Sequence, residues 1–429
     1  MKDNFQVIIL VVFIALAVLG VLVFSGAIPL GGGSSTETGT GTVLLWGTVS
    51  AQIMNPIVDE FNNANSTYKV QYEEKQAATF DQDLLEALAA GKGPDMFFLP
   101  DDLAYHYSNK IFTIPYTSYP LASFENNFAG AGDVFLTSGG MMAFPLTIDP
   151  LIMYYNRSIL DANNIVYPPK DWDEFANQVQ VLTKKDDSNK IIKSGTALGQ
   201  FSNVTHAKDI LSTLFMQLGD KIVTEKDGLY TSALSQDINL TQALGFYTDF
   251  ADPAKSIYSW NKSFPNSRDY FSTDNLAFYF GYAGEFESLV NKNPNQNFQV
   301  AAIPQIKNTN FKLTGANVTG IAISSFSKNF NTAFIAAGAM SAGTFAKSLA
   351  DALGIAPARR DLLANPPQDA YSPAFYASAL YARAWLDPSP KDTDSIFRTM
   401  VESVLSNSLT PQNSIKDASG KLDLLLLKQ

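Results

Sequence analysis

The sequence predicts an α/β protein built on a parallel sheet and preceded by one apolar span. Three observations carry this. Short apolar runs alternate with amphipathic helical patterns from residue 42 onward, which is the signature of strands joined by helical crossovers. The segment Gly91-Lys92-Gly93-Pro94-Asp95-Met96-Phe97-Phe98-Leu99-Pro100-Asp101-Asp102 reads as a helix stop, a strand buried on both faces, a breaker and an acidic turn. Residues 7–28 are uncharged and almost wholly apolar.

The elements follow in order. The 22 positions of the apolar span would reach about 33 Å as a helix, enough for a bilayer core. The run is longer than a signal-peptide core, and Ser25-Gly26-Ala27 is a poor cleavage site. Residues 1–28 are therefore expected to stay as a transmembrane signal anchor. The Gly/Ser/Thr tract that follows, 29–41, has the composition of a flexible linker. Leu44-Leu45-Trp46-Gly47 opens the folded body as a strand and turn. A helix over 50–65 follows, with Ile53, Ile57, Val58 and Phe61 on one face. The next helix covers 79–90, with Thr79 and Gln82 at capping-box spacing and Gly91 as its stop. Further helices are expected over 171–183, capped by Asp171 with Glu174, over 204–218, 236–250 and 329–342, and between 371 and 407. Further strands are expected over 68–72, 277–281, 298–303 and 318–323.

Composition narrows the function. The chain has 429 residues, 46% of them hydrophobic, and is too long for a single core. A net charge of −11 argues against nucleic acid, whose phosphates need a basic face. No cysteine is present, which excludes disulfides, cysteine catalysis and a lipidated cysteine. With only His106 and His206 a multi-histidine metal site is impossible, and no metal or cofactor is expected. The sequence holds no nucleophile elbow, Walker loop or dinucleotide fingerprint. Both histidines read as structural or surface residues, His206 on a helix face and His106 between two tyrosines.

A wider pattern joins these pieces. The Gly-x-Gly-Pro-Asp turn at 91–95, the Pro145-to-Asn156 segment ending in Tyr155-Asn156, and Pro168-Pro169-Lys170-Asp171-Trp172-Asp173-Glu174-Phe175 occur in that order. Val300-Ala301-Ala302-Ile303-Pro304, Ala356-Pro357-Ala358-Arg359-Arg360 and Trp385-Leu386-Asp387-Pro388 come after them. In order and spacing the chain resembles the extracellular solute-binding proteins of ABC importers, of the maltose-binding type. The resemblance implies a two-lobed periplasmic-binding-protein-like fold with discontinuous lobes and three crossovers, near 147–149, 301–303 and 355–357. The N-terminal lobe would comprise 42–148 and 303–355, and the C-terminal lobe 149–302 and 356–429. It implies a monomeric, non-enzymatic receptor, tethered to the cell membrane with its body outside. Such a receptor captures a small solute, a sugar or oligosaccharide foremost, and delivers it to permease subunits. A glycoside-acting enzyme with paired cleft carboxylates, and a surface sensor, are the alternatives.

Candidate ligand contacts are aromatics and acids at strand ends. Sugar rings offer apolar faces to aromatic rings, and their hydroxyls donate to carboxylates. Trp46, Asp101, Asp102, Asp149, Tyr282, Glu285, Arg359 and Trp385 make up this set. Each has a competing structural role: core packing for the tryptophans, helix capping for Asp101 and Glu285, first-turn solvation for Asp102, an ion pair for Arg359. Asp149 is the hardest to assign structurally, because a crossover carboxylate borders the cleft.

Overall fold

The computed structural model describes residues 39–226, 228–234, 239–309 and 311–427. The anchor expected over 1–28 lies outside these residues, and among the described residues no helix is long and apolar enough to cross a membrane. The strands assemble into one eleven-stranded sheet that is mixed, not parallel throughout as expected, because the strands that cross between its halves pair antiparallel with their neighbours. Its strands are β1 (Gly41–Gly47), β2 (Tyr68–Glu74), β3 (Met96–Pro100), β4 (Ala143–Asn156), β5 (Lys184–Lys185), β6 (Ile191–Thr196), β7 (Leu276–Tyr282), β8 (Phe298–Ala301), β9 (Thr314–Ile323), β10 (Ala356–Pro357) and β11 (Ala382–Arg383). Across the sheet the order is β2-β1-β3-β9-β4-β7-β6-β5, with β8 and β10 on β4 and β11 on β9. The main helices are α1 (Ala51–Ala64), α2 (Phe80–Ala89), α3 (Trp172–Leu182), α4 (Ala207–Gln217), α5 (Asn239–Asp249), α6 (Phe330–Ala342), α7 (Thr344–Leu353), α8 (Ser372–Leu380), α9 (Pro390–Leu405) and α10 (Pro411–Leu426).

The long β4 divides the molecule. Residues 143–150 pair with β9, and residues 151–156 pair with β7 and β8. β1 to β3, α1, α6 and α7 gather on one side of that switch; α3 to α5, α9 and α10 gather on the other. The second side is packed on aromatics. The Phe175 ring lies 5.3 Å from Trp172, 5.3 Å from Phe278 and 5.4 Å from Phe280. Burying each such ring contributes about 2–3 kcal/mol.

Local chemistry explains most boundaries. Ser50 caps α1, its hydroxyl accepting from the Gln52 amide, and Met54, Ile57, Val58 and Phe61 are buried. Gly91 ends the α2 region at φ +66°, a left-handed conformation natural to glycine. The expected capping box at Thr79 does not form. Thr79 is itself near-helical (φ −116°, ψ −1°), and its hydroxyl turns to Asp83 instead. Asp171 does cap α3, accepting from the Glu174 amide at 2.8 Å, while the Glu174 carboxylate reaches one residue further, to the Lys170 amide. The helix expected from 204 begins at Ala207, because His206 takes φ +60°. The α7 and α10 helices were not among the expected elements, although Thr410 and Pro411 give α10 a regular start.

Candidate functional site

Strand direction builds the site. β3 runs antiparallel to β9, β9 antiparallel to β4, and β4 antiparallel to β7. The carboxyl ends of β3 and β7 therefore run toward each other. Pro100 stands opposite Thr319, which pairs with Thr147, while Tyr282 stands opposite Leu151. The space between is a cavity of about 250 Å³. Asp101 and Asp102 line it from the turn after β3, Tyr282 from the end of β7, and Gly315, Ala316 and Asn317 from β9. The α4 region adds His206, Lys208, Asp209, Ser212 and Met216; the chain after β11 adds Trp385 and Asp387. Positions 208, 212 and 216 recur every four residues, so one helix face serves the cavity. Gly315 permits that approach, since a Cβ there would collide with the Thr213 hydroxyl.

The wall beside β7 is a closed network. Glu285 accepts from His206 Nε2 at 2.7 Å, Tyr279 Oη at 2.8 Å, Arg268 Nε at 2.9 Å and the Tyr282 amide at 2.9 Å. Burial disfavours its charge, but His206, the Tyr282 amide and Tyr279 outweigh this and hold it below the ordinary carboxyl range. Burial likewise pulls His206 toward neutrality. Its bonds to Asp209 and Glu285 win, and its pKa rises to about 9. The His206 and Tyr282 rings meet edge to face at 4.7 Å. Lys208 reaches Asp387 at 2.6 Å, and Asp387 also accepts from Thr393 Oγ1 and the Ser389 amide.

The opposite wall is not balanced in this way. Asp101 Oδ1 accepts from the Val318 amide at 2.8 Å, so its carboxyl bridges to β9 rather than capping its own turn. Burial and the neighbouring Asp102 push its pKa well up. Burial, and then the charge of Asp387, raise Asp102, with Lys208 opposing. The Ser212 hydroxyl is buried at the cavity edge without a hydrogen-bond partner.

Beyond Met216 and Trp385 a second cavity of about 520 Å³ opens, lined by Val134, Leu136, Ile222, Tyr230, Phe311 and Leu386 among others. Trp385 walls both chambers. Its ring stacks on Phe397 at 6.2 Å, with Lys208 Nζ 5.8 Å from its centroid.

Of the eight residues expected from sequence, Asp101, Asp102, Tyr282 and Trp385 line the first cavity. Asp149 and Glu285 stand behind its wall. Asp149 Oδ1 accepts from the Gly284 amide at 2.9 Å, and loss of surrounding water raises its pKa to about 7. Trp46 and Arg359 are not brought to it. The Trp46 indole donates to Glu73 at 2.9 Å under the Lys75 ammonium, both on or beside the adjacent β2. Arg359 pairs with Asp361 two residues away and borders a separate hollow with Tyr119 and Phe144. His106 sits at the surface, 3.1 Å from Asp81. His206, Lys208, Asp209, Ser212 and Asp387 line the cavity without having been expected there; His206 had been read as helix-face packing.

This geometry is that of two-lobed α/β binding proteins. The fold matches the cyclic alpha-maltosyl-1,6-maltose binding protein from Arthrobacter globiformis, with TM-score 0.75, 14% identity, and 91% of this chain and 100% of that chain covered. It matches a cyclo/maltodextrin-binding protein complexed with maltotetraose at TM-score 0.73 and 16% identity, covering 90% and 98%. It matches the sugar-binding protein MalE from the phytopathogen Xanthomonas citri at TM-score 0.73 and 17% identity, also covering 90% and 98%. The profile of the bacterial extracellular solute-binding protein family matches residues 56–375, and the chain belongs to that family. No curated protein sequence matches it.

Proposed function

We propose that this protein is a receptor that captures a sugar or oligosaccharide between its two lobes and delivers it to an ABC importer without breaking bonds. The observation that carries the reading is Trp385, a broad aromatic wall shared by two adjoining chambers, with hydrogen-bonding groups concentrated in the inner one. Two hollows on either side of one aromatic ring suit a chain of sugar rings, whose apolar faces stack while their hydroxyls bond. Sugars named with the structural neighbours support the same class. Asp101, Asp102, Tyr282 and Trp385 are the proposed contacts, with Asp149 and Glu285 supporting them from behind.

The lobes are proposed as residues 42–148 with 303–355, and 149–302 with 356–429, which fits the partner switch of β4 near Pro150. Closure would select the liganded state through its higher affinity. Residues 1–28 are proposed to hold the body outside the membrane through the 29–41 tether; N-terminal sequencing of the membrane fraction tests this. Calorimetric titration with oligosaccharides of increasing length tests the binding. Trp385→Ala should weaken it by about 2 kcal/mol while leaving cooperative melting. Cleaved sugars after incubation would favour the glycoside-acting alternative.

A further inference from the structure

Three cations line the inner chamber, and two are already paired. Lys208 is engaged by Asp387 at 2.6 Å, and His206 by Glu285 at 2.7 Å and Asp209 at 3.5 Å. The third, Arg383, donates to the Ala382 carbonyl and lies near enough to Asp133 to favour its ionisation. Among the described residues, no basic side chain comes within ion-pair distance of Asp101 or Asp102; Lys208, bound to Asp387, acts on Asp102 only from farther off. These two acids are adjacent in sequence and share one cavity; Asp101 is buried and Asp102 half-buried. Lys208, Asp209, Tyr282 and Asp387 face them from the other elements.

A second observation points the same way. Ser212, 1% exposed, presents a hydroxyl with no partner at the edge of this cavity. The chamber thus holds two carboxyl groups short of a cation and one hydroxyl short of a partner, beside the rings of Tyr282 and Trp385. Among the described residues no group of three or more histidine or acidic side chains is placed to hold a metal ion, and the neighbouring aromatic rings favour an organic cation. An ammonium group supplies three donors and is attracted to aromatic faces. Uncompensated carboxyls in a low-dielectric pocket gain most from such a partner.

We infer that the solute is an aminated sugar, with its ammonium received by Asp101 and Asp102 and a ring lying on Trp385. This rests on the sugar reading and narrows it. A neutral sugar supplies no charge to offset the burial that resists ionisation of these acids.

The test uses matched pairs: glucosamine, galactosamine, mannosamine and chitosan oligosaccharides, each against its neutral hydroxyl counterpart and its N-acetylated form. Thermal shift ranks them at neutral pH, and calorimetry measures the best. The aminated member should bind about tenfold more tightly, because a charge-assisted bond replaces a neutral one. N-acetylation should remove the preference. Asp102→Asn, which keeps the shape, should lower affinity for the aminated member far more than for the neutral one. Asp102→Ser serves as a second variant, and the melting of each unliganded variant checks its fold. Neutral sugars binding as well as aminated ones would overturn the inference and leave the sugar reading standing. A preference that survives both variants would overturn the role of the acid pair. No binding in any series would overturn the sugar reading and the inference together.

Discussion

The two walls of the inner chamber contain similar residues in opposite states. On the β7 side, Glu285 is saturated by His206, Arg268, Tyr279 and a backbone amide, and its carboxyl is held ionised. On the β3 side, Asp101 accepts from the Val318 amide, Lys208 acts on Asp102 only from beyond ion-pair distance, and burial resists the ionisation of both acids. The first wall is a finished scaffold, fixed before any solute arrives. The second keeps bonding capacity that the proposed solute would complete. A binding site needs both: rigid groups lower the ordering cost of association, and unsatisfied groups give the ligand something to complete.

Removing the hub of the finished wall should have the largest effect. Glu285→Ala strands His206 and Arg268 without their shared acceptor. A loss of about 3 kcal/mol or more in unfolding free energy is expected, read by urea or thermal denaturation. A change below about 1 kcal/mol would mean the network adds no stability and the walls are equivalent.

The next effect is a pH dependence. His206 titrates at about 9 in the fold against an ordinary 6.5, so the native state binds the extra proton between these values. Its stabilisation is complete below about pH 6.5 and is lost as pH rises through about 9. Compared with His206→Gln, the wild-type protein should show an advantage of roughly 2 kcal/mol near pH 6, vanishing above pH 9. Glu285, depressed in the fold, adds the opposite limb: its contribution fades as acid protonates it. A stability difference that stays flat with pH would break the assignment of His206 as the charged member of that wall.

The smallest effect sharpens the contrast. Ser212→Ala deletes a hydroxyl that bonds to nothing. Stability should change by less than about 1 kcal/mol, or rise slightly, because no hydrogen bond is lost. Affinity for a bound sugar should still fall several-fold if the solute is what completes that hydroxyl. Equal losses in stability and affinity would show that Ser212 belongs to the scaffold.

Much of this arrangement was legible in the sequence, for a definite reason. Asp101, Asp102 and Tyr282 follow apolar runs directly, and residues at strand ends land in the cleft of an open α/β sheet. The α4 face was not legible. The apolar positions Ile210, Leu211, Leu214 and Phe215 mark its buried side, and the polar remainder looks the same whether it faces solvent or a binding cavity. His206 was obscured further by its left-handed backbone, since nothing in a histidine announces φ +60°. Trp46 was assigned to the cleft because its register against Glu73 is a fact of strand pairing, invisible before β1 and β2 are aligned. Arg359 was drawn off by Asp361, so close in sequence that the pair was available to any reading, yet so short-ranged that it competes with any ligand role.

The late arrival of β9 has a consequence for how the chain is made. β3 and β4 are the neighbours of β9 in the sheet, yet β9 begins at Thr314, well over a hundred residues after β4 ends. During synthesis the first half of the molecule therefore exposes two unpaired strand edges while the entire α3-to-β8 region is still being added. Pairings this distant in sequence close slowly, and exposed edges invite association with other chains. A nascent chain that cannot seal its first lobe stays open longer, which is the condition a protein must meet if it is to be threaded across a membrane before it folds.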